Sequence, residues 1–402
     1  MIGRLLLLYS IIFYTFSAST PPETTFSLTH AYYHDRRTNS ISRYQRHAHA
    51  STRQDAFVVK TATHSFSRRV PNVTDRATVI SLAKMAYDAY TAIGGDDWYD
   101  LDNPSWPIND TFGWQEDGFR GHVFSNDDAS ILVIAIKGTT AGLFSGGPTG
   151  DKDKMNVSWH GRNMTRDLPS CFILGKGLQD NLLFSCCCGR ISRVWTPVCE
   201  CYRGNDYICE EQCLQNTIQK EDLYYDHALA IYRDISDRYE TATVFLTGHS
   251  LGGALATLVG LTYDAPAVSF ESPGDRLAAK RLHLPHGPSA LTPIYHFGHT
   301  ADPIFVGLCT GVSSACWYGG FAIETRCHTG KACVWDTVNS HNWKVNIASH
   351  RIGDIIEKIL NVPEEFPLPQ CRVERDCMDC GLWDFPDNRD TSLVMDLSRH
   401  CS

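Results

Sequence analysis

The residues best placed to do chemistry are Gly248-His249-Ser250-Leu251-Gly252, a G-x-S-x-G pattern. A serine hydroxyl becomes a useful nucleophile only when a neighbouring base takes its proton and an acid orients that base. The flanking glycines permit a sharp strand-to-helix turn that lifts such a serine above the end of a sheet. The bare pattern is weak, arising by chance in roughly one chain in seven of this length, so its surroundings must decide. TATVFLT (241–247) is an apolar, β-branched run that predicts a buried strand, and ALATLVGL (254–261) is a small, apolar run that predicts a buried helix.

With this turn, the acid and base follow the serine in the order Asp or Glu, then His. PIYHFG (293–298) predicts a strand, and HTADPIF (299–305) sets Asp302 in the loop after it, closed by Pro303. Asp264 and Asp275 lie beside the predicted helix and the next strand, where a capping or surface role is expected. The histidines that follow are His328, His341, His350 and His400. His350 directly precedes RIGDIIEKIL, a predicted amphipathic helix, which favours it by position; His341 in VNSHNWKVN stays the alternative. His249, inside the turn, is excluded as the base by chain order. Acyl transfer also needs donors for a developing oxyanion. The backbone N–H of Leu251 is one candidate. The other is Thr139, in the Gly138-Thr139-Thr140 turn after SILVIAIK (130–137), the strongest predicted strand of the chain.

These pieces, strand before helix and loops after strands, imply an α/β fold with a mostly parallel sheet. The chain has 402 residues, of which 43% are hydrophobic and 20% charged, enough for one large α/β core and unlike a disordered chain. A formal charge of −9 argues against nucleic acid, whose binding rests on Lys and Arg. The chemistry calls for no metal or other cofactor.

Sixteen cysteines are too many for a reducing compartment unless they hold metal. The opening supports an exported chain: Arg4 precedes an apolar run from Leu5 to Phe16, followed by small residues Ser17-Ala18-Ser19. A cleaved signal peptide and a retained anchor both fit residues 1–20; if retained, Arg4 favours a cytosolic N-terminus and a lumenal body. Residues 21–55, rich in Ser, Thr, His and Arg, predict a lumenal stalk. Asn72, Asn109, Asn156 and Asn163 each begin an N-glycosylation sequon. The cysteines form three even groups, Cys171 to Cys213, Cys309 to Cys333 and Cys371 to Cys401, which makes pairing within groups the expectation. In particular, pairs among Cys309, Cys316, Cys327 and Cys333 would hold the Asp302 and His350 loops. Zinc on Cys199 with Cys201, Cys209 with Cys213, or Cys377 with Cys380 is the weaker reading, for no repeated ribbon spacing accompanies them. The hydrolase body is expected at 56–362 with a Cys-rich insertion at about 141–215, and a Cys-containing tail at 363–402. Phe144 in AGLFSGGPTG is a candidate for an apolar lid.

GHSLGG, IAIKGTT, HTADPIF and SHRIGDII together resemble the class 3 triacylglycerol lipases of the α/β-hydrolase fold. NLLFSCCC, KRLHLP and ETRCHTGKACVWD resemble, more narrowly, the fungal autophagy-related vacuolar lipases, over about Tyr87 to Cys380. The resemblance implies that Ser250, Asp302 and His350 form the triad. It further implies a triacylglycerol lipase and phospholipase, active on phosphatidylserine, that lyses autophagic bodies and multivesicular-body vesicles in the vacuole. An uncleaved type II anchor, reaching the vacuole through endosomes, is also implied. The apolar run is short for a span, and the tail lacks a long Ser/Thr-rich extension. The rivals are a secreted serine esterase or peptidase on smaller substrates, and an inactive lumenal binding protein.

Overall fold

The computed structural model describes residues 26–29, 41–45, 58–62 and most of 68–386, the longest stretch outside it being 140–177. The apolar run from Leu5 to Phe16, Phe144, Asn156, Asn163, Cys171, His400 and Cys401 lie outside the described residues. Among the described residues no helix is long and apolar enough to cross a membrane.

The core is a seven-stranded sheet: β1 (Ile108–Phe112), β2 (Gly121–Ser125), β3 (Ile131–Ile136), β4 (Thr243–His249), β5 (Ala267–Phe270), β6 (Ile294–His299) and β7 (Lys331–Trp335). The spatial order follows the chain, β7-β6-β5-β4-β3-β2-β1. The β3 to β7 pairs are parallel, whereas β1 and β2 join antiparallel at one edge. Every residue of β3 is buried, because alternate side chains enter two different cores. Leu132, Ile134 and Ile136 pack with Leu246 on one face, and Ile131, Val133 and Ala135 pack with Phe245 and Phe270 on the other.

Each face is covered by helix. α1 (Arg76–Asp88) starts where the Asp75 carboxylate accepts from the Thr78 N–H at 2.9 Å, and its Val79, Leu82, Ala83 and Ala86 recur at helical spacing onto the β4 face. α2 (Leu178–Phe184), α3 (Glu211–Lys220), α4 (Tyr224–Arg238) and α5 (Leu251–Tyr263) pack on the opposite face, where α5 buries all its residues from Leu251 to Thr262. α6 (Arg276–Arg281) follows β5, and α7 (Ile352–Ile355) returns to the α1 side. A mostly parallel sheet, helices on both faces and a strand–serine–helix turn at its centre make this an α/β-hydrolase fold.

All fourteen described cysteines are bonded, and the pairing corrects the within-group expectation. Cys187–Cys209, Cys188–Cys199 and Cys201–Cys213 are local to residues 187–213, and Cys309–Cys316 closes its own loop. Cys327 and Cys333, however, pair with Cys377 and Cys371 of the C-terminal segment, and Cys186 pairs with Cys380. Sheet geometry is the reason. Ala332 of the edge strand β7 exchanges two backbone hydrogen bonds of 2.8 Å with Arg372, which carries the C-terminal segment along that edge and sets Cys371 against Cys333. Every cysteine of the zinc reading is in a disulfide, so none offers the thiolate that zinc requires.

Candidate active site

Ser250 sits between β4 and α5 at φ 57° and ψ −131°, a sparsely populated positive-φ conformation that costs a serine about 1–3 kcal/mol. Close packing enforces it. A Cβ on Gly248 would lie 2.5 Å from the backbone of Gly252, and one on Gly252 would lie 2.1 Å from the Ile136 carbonyl oxygen. The Ser250 N–H donates to the Phe270 carbonyl at 3.0 Å, fixing the turn to the neighbouring strand.

His350 Nε2 lies 2.8 Å from Ser250 Oγ, and His350 Nδ1 lies 2.7 Å from Asp302 Oδ2. A carboxylate only accepts, so Nδ1 carries the proton and Nε2 is left to accept from the serine hydroxyl. Asp302 is fully buried, and its other oxygen accepts from the Ile304 N–H at 2.8 Å. Burial alone would raise its pKa, but the charge and hydrogen bond of His350 outweigh it, and Asp302 stays well below the usual carboxylate range.

The base and acid loops are tied by hydrogen bonds rather than by the sulfur bridges expected from sequence. Asn346 N–H and Ser349 Oγ both donate to the Ala301 carbonyl, at 3.1 and 2.9 Å. Asn346 also caps the 3-10 turn Ile347–His350 by accepting from the Ala348 N–H at 2.9 Å.

Leu251 is the first residue of α5, so its N–H belongs to the helix turn that lacks intrahelical acceptors. Gly138, after β3, is pressed against the turn, where a Cβ would come within 2.9 Å of Ser250 Cβ. The hydroxyl of the adjoining Thr139 donates to Asp180 of α2 at 2.9 Å.

The remaining candidates have other partners. His341 Nδ1 faces Glu365 at 3.3 Å, and His328 Nδ1 faces Glu374 at 3.3 Å. Asp264 ends α5 in a left-handed conformation. Asp275 is buried rather than at the surface, its carboxylate accepting from Thr257 Oγ1 and from the Thr329 N–H and Oγ1. Asn109 is exposed on β1, whereas the Asn72 amide oxygen accepts from Thr74 of its own sequon at 2.7 Å.

Sequence reasoning passed over Tyr90, Asp180 and Glu271. Tyr90 Oη lies 2.8 Å from His249 Nδ1 and accepts from the Gly138 N–H at 3.1 Å. Glu271 follows β5 and hydrogen-bonds the Asp302 carboxyl from behind. The chain-order rule admits Glu as well as Asp.

A Tle-like phospholipase domain model matches residues 201–283, which include Ser250. A putative lipase ATG15 of Vanderwaltozyma polyspora is 47% identical over 325 residues, spanning 79% of this chain and 53% of the relative. A putative lipase ATG15 of Saccharomyces cerevisiae is 45% identical over 331 residues, 80% of this chain and 58% of the relative. The chain thus spans little more than half the length of these curated relatives. The solved Lip2 lipase of Yarrowia lipolytica overlaps 64% of this chain and 77% of its own, at 16% identity and a TM-score of 0.33; the fold assignment rests on strand order and not on that overlap. On the strength of the extended sequence identity, the chain belongs to the family of fungal putative lipases named ATG15.

Proposed function

We propose that this protein is a serine lipase whose nucleophile is Ser250, base His350 and acid Asp302. One observation carries the proposal: the unbroken hydrogen-bonded series from Ser250 Oγ through His350 to a buried, ionised Asp302. Ser250 Oγ attacks the ester carbonyl as its proton passes to His350 Nε2. The imidazolium, steadied by Asp302, then returns that proton to the leaving alcohol, and water repeats the sequence on the acyl-enzyme. Leu251 N–H and Thr139 N–H stabilise the oxyanion, with the Thr139 hydroxyl committed to Asp180.

The family and the matched phospholipase domain support lipid esters as the substrate class, triacylglycerol and phospholipids including phosphatidylserine. Lysis of autophagic-body and multivesicular-body membranes in the vacuole, by a type II anchored glycoprotein delivered through endosomes, is the cellular role that extends this reading. Replacing Ser250 with Ala tests it: hydrolysis of emulsified long-chain triacylglycerol and of phosphatidylserine vesicles is expected to vanish while the folded protein accumulates. Retained hydrolysis would remove Ser250 from the reaction. Turnover confined to soluble short-chain esters would instead favour a secreted esterase.

A further inference from the structure

Behind the Ser250–His350–Asp302 series lies a second carboxyl. Glu271 is the residue that ends β5, and it is fully buried. Its backbone adopts φ 46°, a left-handed conformation that a glycine would hold without strain and a glutamate does not. The strain is held in place by the Glu271 N–H, which donates to the Phe297 carbonyl at 2.9 Å. It turns the side chain to Asp302, with which it is hydrogen-bonded. His299 flanks the pair: its N–H reaches Glu271 Oε2 at 3.4 Å, and its Nε2 stands 3.7 Å from Oε1. Among the described residues no donor lies within hydrogen-bond reach of Oε1.

Two carboxylates cannot hydrogen-bond each other without a proton, since ionised oxygens only accept. In a dry site two such groups do not both ionise. The Nδ1–H of His350, donating to Asp302 at 2.7 Å, keeps the negative charge on Asp302, which leaves the proton on Glu271. Burial first, and Asp302 second, push Glu271 well above its ordinary range, in the same direction as the geometry. Among the described residues the ionisable groups that face the pair include His249, His299 and His350, with Asp354 beyond His299.

We infer that Glu271 is a positioning residue that stays a neutral acid, its O–H donating to the Asp302 carboxylate and holding that carboxylate for His350. It acts through Asp302 and touches no substrate. The inference rests on the proposed Ser250–His350–Asp302 triad. A donor at this point fixes which oxygen of Asp302 faces the imidazole and draws off part of its charge, as buried orienting partners do for other acid–base sites.

The test compares Glu271→Gln, which keeps a donor and no charge, with Glu271→Leu, which keeps neither. With full-length protein and a long-chain ester, Glu271→Leu is expected to lower kcat ten- to a hundredfold at unchanged KM, and Glu271→Gln to restore it to within about threefold of wild type. The acid limb of the pH profile of kcat/KM should stay in place in Glu271→Gln, because a neutral side chain replaces a neutral one. A limb moved by half a pH unit or more in Glu271→Gln would mean a charge was removed and would overturn the inference. So would equal activity of Glu271→Leu and wild type. If Glu271→Leu does not fold, the Glu271→Gln limb decides alone. Ser250→Ala run in parallel keeps the two readings apart: if it retains turnover the triad itself has failed, whereas if it is inactive any failure above belongs to Glu271.

Discussion

His249 donates from Nε2 to the backbone carbonyl of His350 at 2.8 Å, so the residue preceding the proposed nucleophile holds the backbone of the proposed base. Burial first, and the charge of His350 second, push His249 down to about 3, which keeps it neutral. With its proton on Nε2, Nδ1 must accept, and the donor is Tyr90 Oη, which in turn accepts from the Gly138 N–H. One directional series of hydrogen bonds therefore runs from the Gly138 N–H, beside the proposed oxyanion donor Thr139, to the loop of the proposed base.

Tyr90→Phe breaks that series at its middle. Gly138 N–H loses an acceptor and His249 Nδ1 a donor, at a cost of about 1–3 kcal/mol for each buried group left unsatisfied. The expected outcome is a kcat about tenfold lower at unchanged KM, with a melting temperature several degrees lower, read by steady-state kinetics and thermal melts. Wild-type values for both would show that the series carries nothing.

Glu324 sets a pH dependence of stability. Burial pushes it up to about 7 from an ordinary 4.5, against the Cys186 N–H that donates to it at 2.8 Å and the charge of Arg281. Between pH 4.5 and 7 the unfolded chain has released this proton while the folded chain still holds it, so stability falls as pH rises. The slope approaches about 1.4 kcal/mol per pH unit. Glu324→Gln removes that slope, and its melting temperature relative to wild type should climb across the interval. His296, held down to about 4 by burial, acts in the opposite sense below 6.5 and cancels from the difference because both proteins carry it. A constant difference in melting temperature would contradict the assignment.

Two glycines near the site should respond in opposite ways. Gly252→Ala forces a Cβ to within 2.1 Å of the Ile136 carbonyl and should abolish both soluble expression and activity. Gly353, within α7, faces only Tyr87 at 3.4 Å, so Gly353→Ala should raise stability by about 0.5–1 kcal/mol through lower backbone entropy in the unfolded chain. Thermal melts and turnover of the two purified proteins check both.

Removing the Cys327–Cys377 bond by double substitution with Ala releases a constraint of separation 50 within which the Cys333–Cys371 bond, of separation 38, stays closed, so the loop freed is about 12 residues and the loss about 3 kcal/mol in a loop-entropy treatment. Because Asn346 and Ser349 tie the acid and base loops through Ala301, kcat at 25 °C should stay within about threefold while the melting temperature drops. A folded variant without activity would place the bond among the supports of the site.

The strands that carry the site were legible because each is rich in apolar and β-branched or aromatic residues at strand length: Ile131–Ile136, Thr243–His249 and Ile294–His299 are almost wholly buried, on both faces. The order Ser250, Asp302, His350 named three residues that the fold brings within hydrogen-bonding distance. Ile108–Phe112, INDTF, escaped notice because an antiparallel edge strand needs only partial burial and reads as polar chain. The Cys333–Cys371 bond was illegible for a different reason. It depends on which strand lies at the edge of the sheet, a fact no local spacing contains. Tyr90 and Glu271 act only through groups distant in sequence, so nothing beside them announces a role.

The Cys186–Cys380 bond joins residues 194 positions apart, on either side of the proposed nucleophile, base and acid. A peptidase that cuts the backbone once anywhere between those two cysteines cannot release a fragment. The nicked protein remains a single covalent molecule, and its halves separate on a denaturing gel only after a reductant is added.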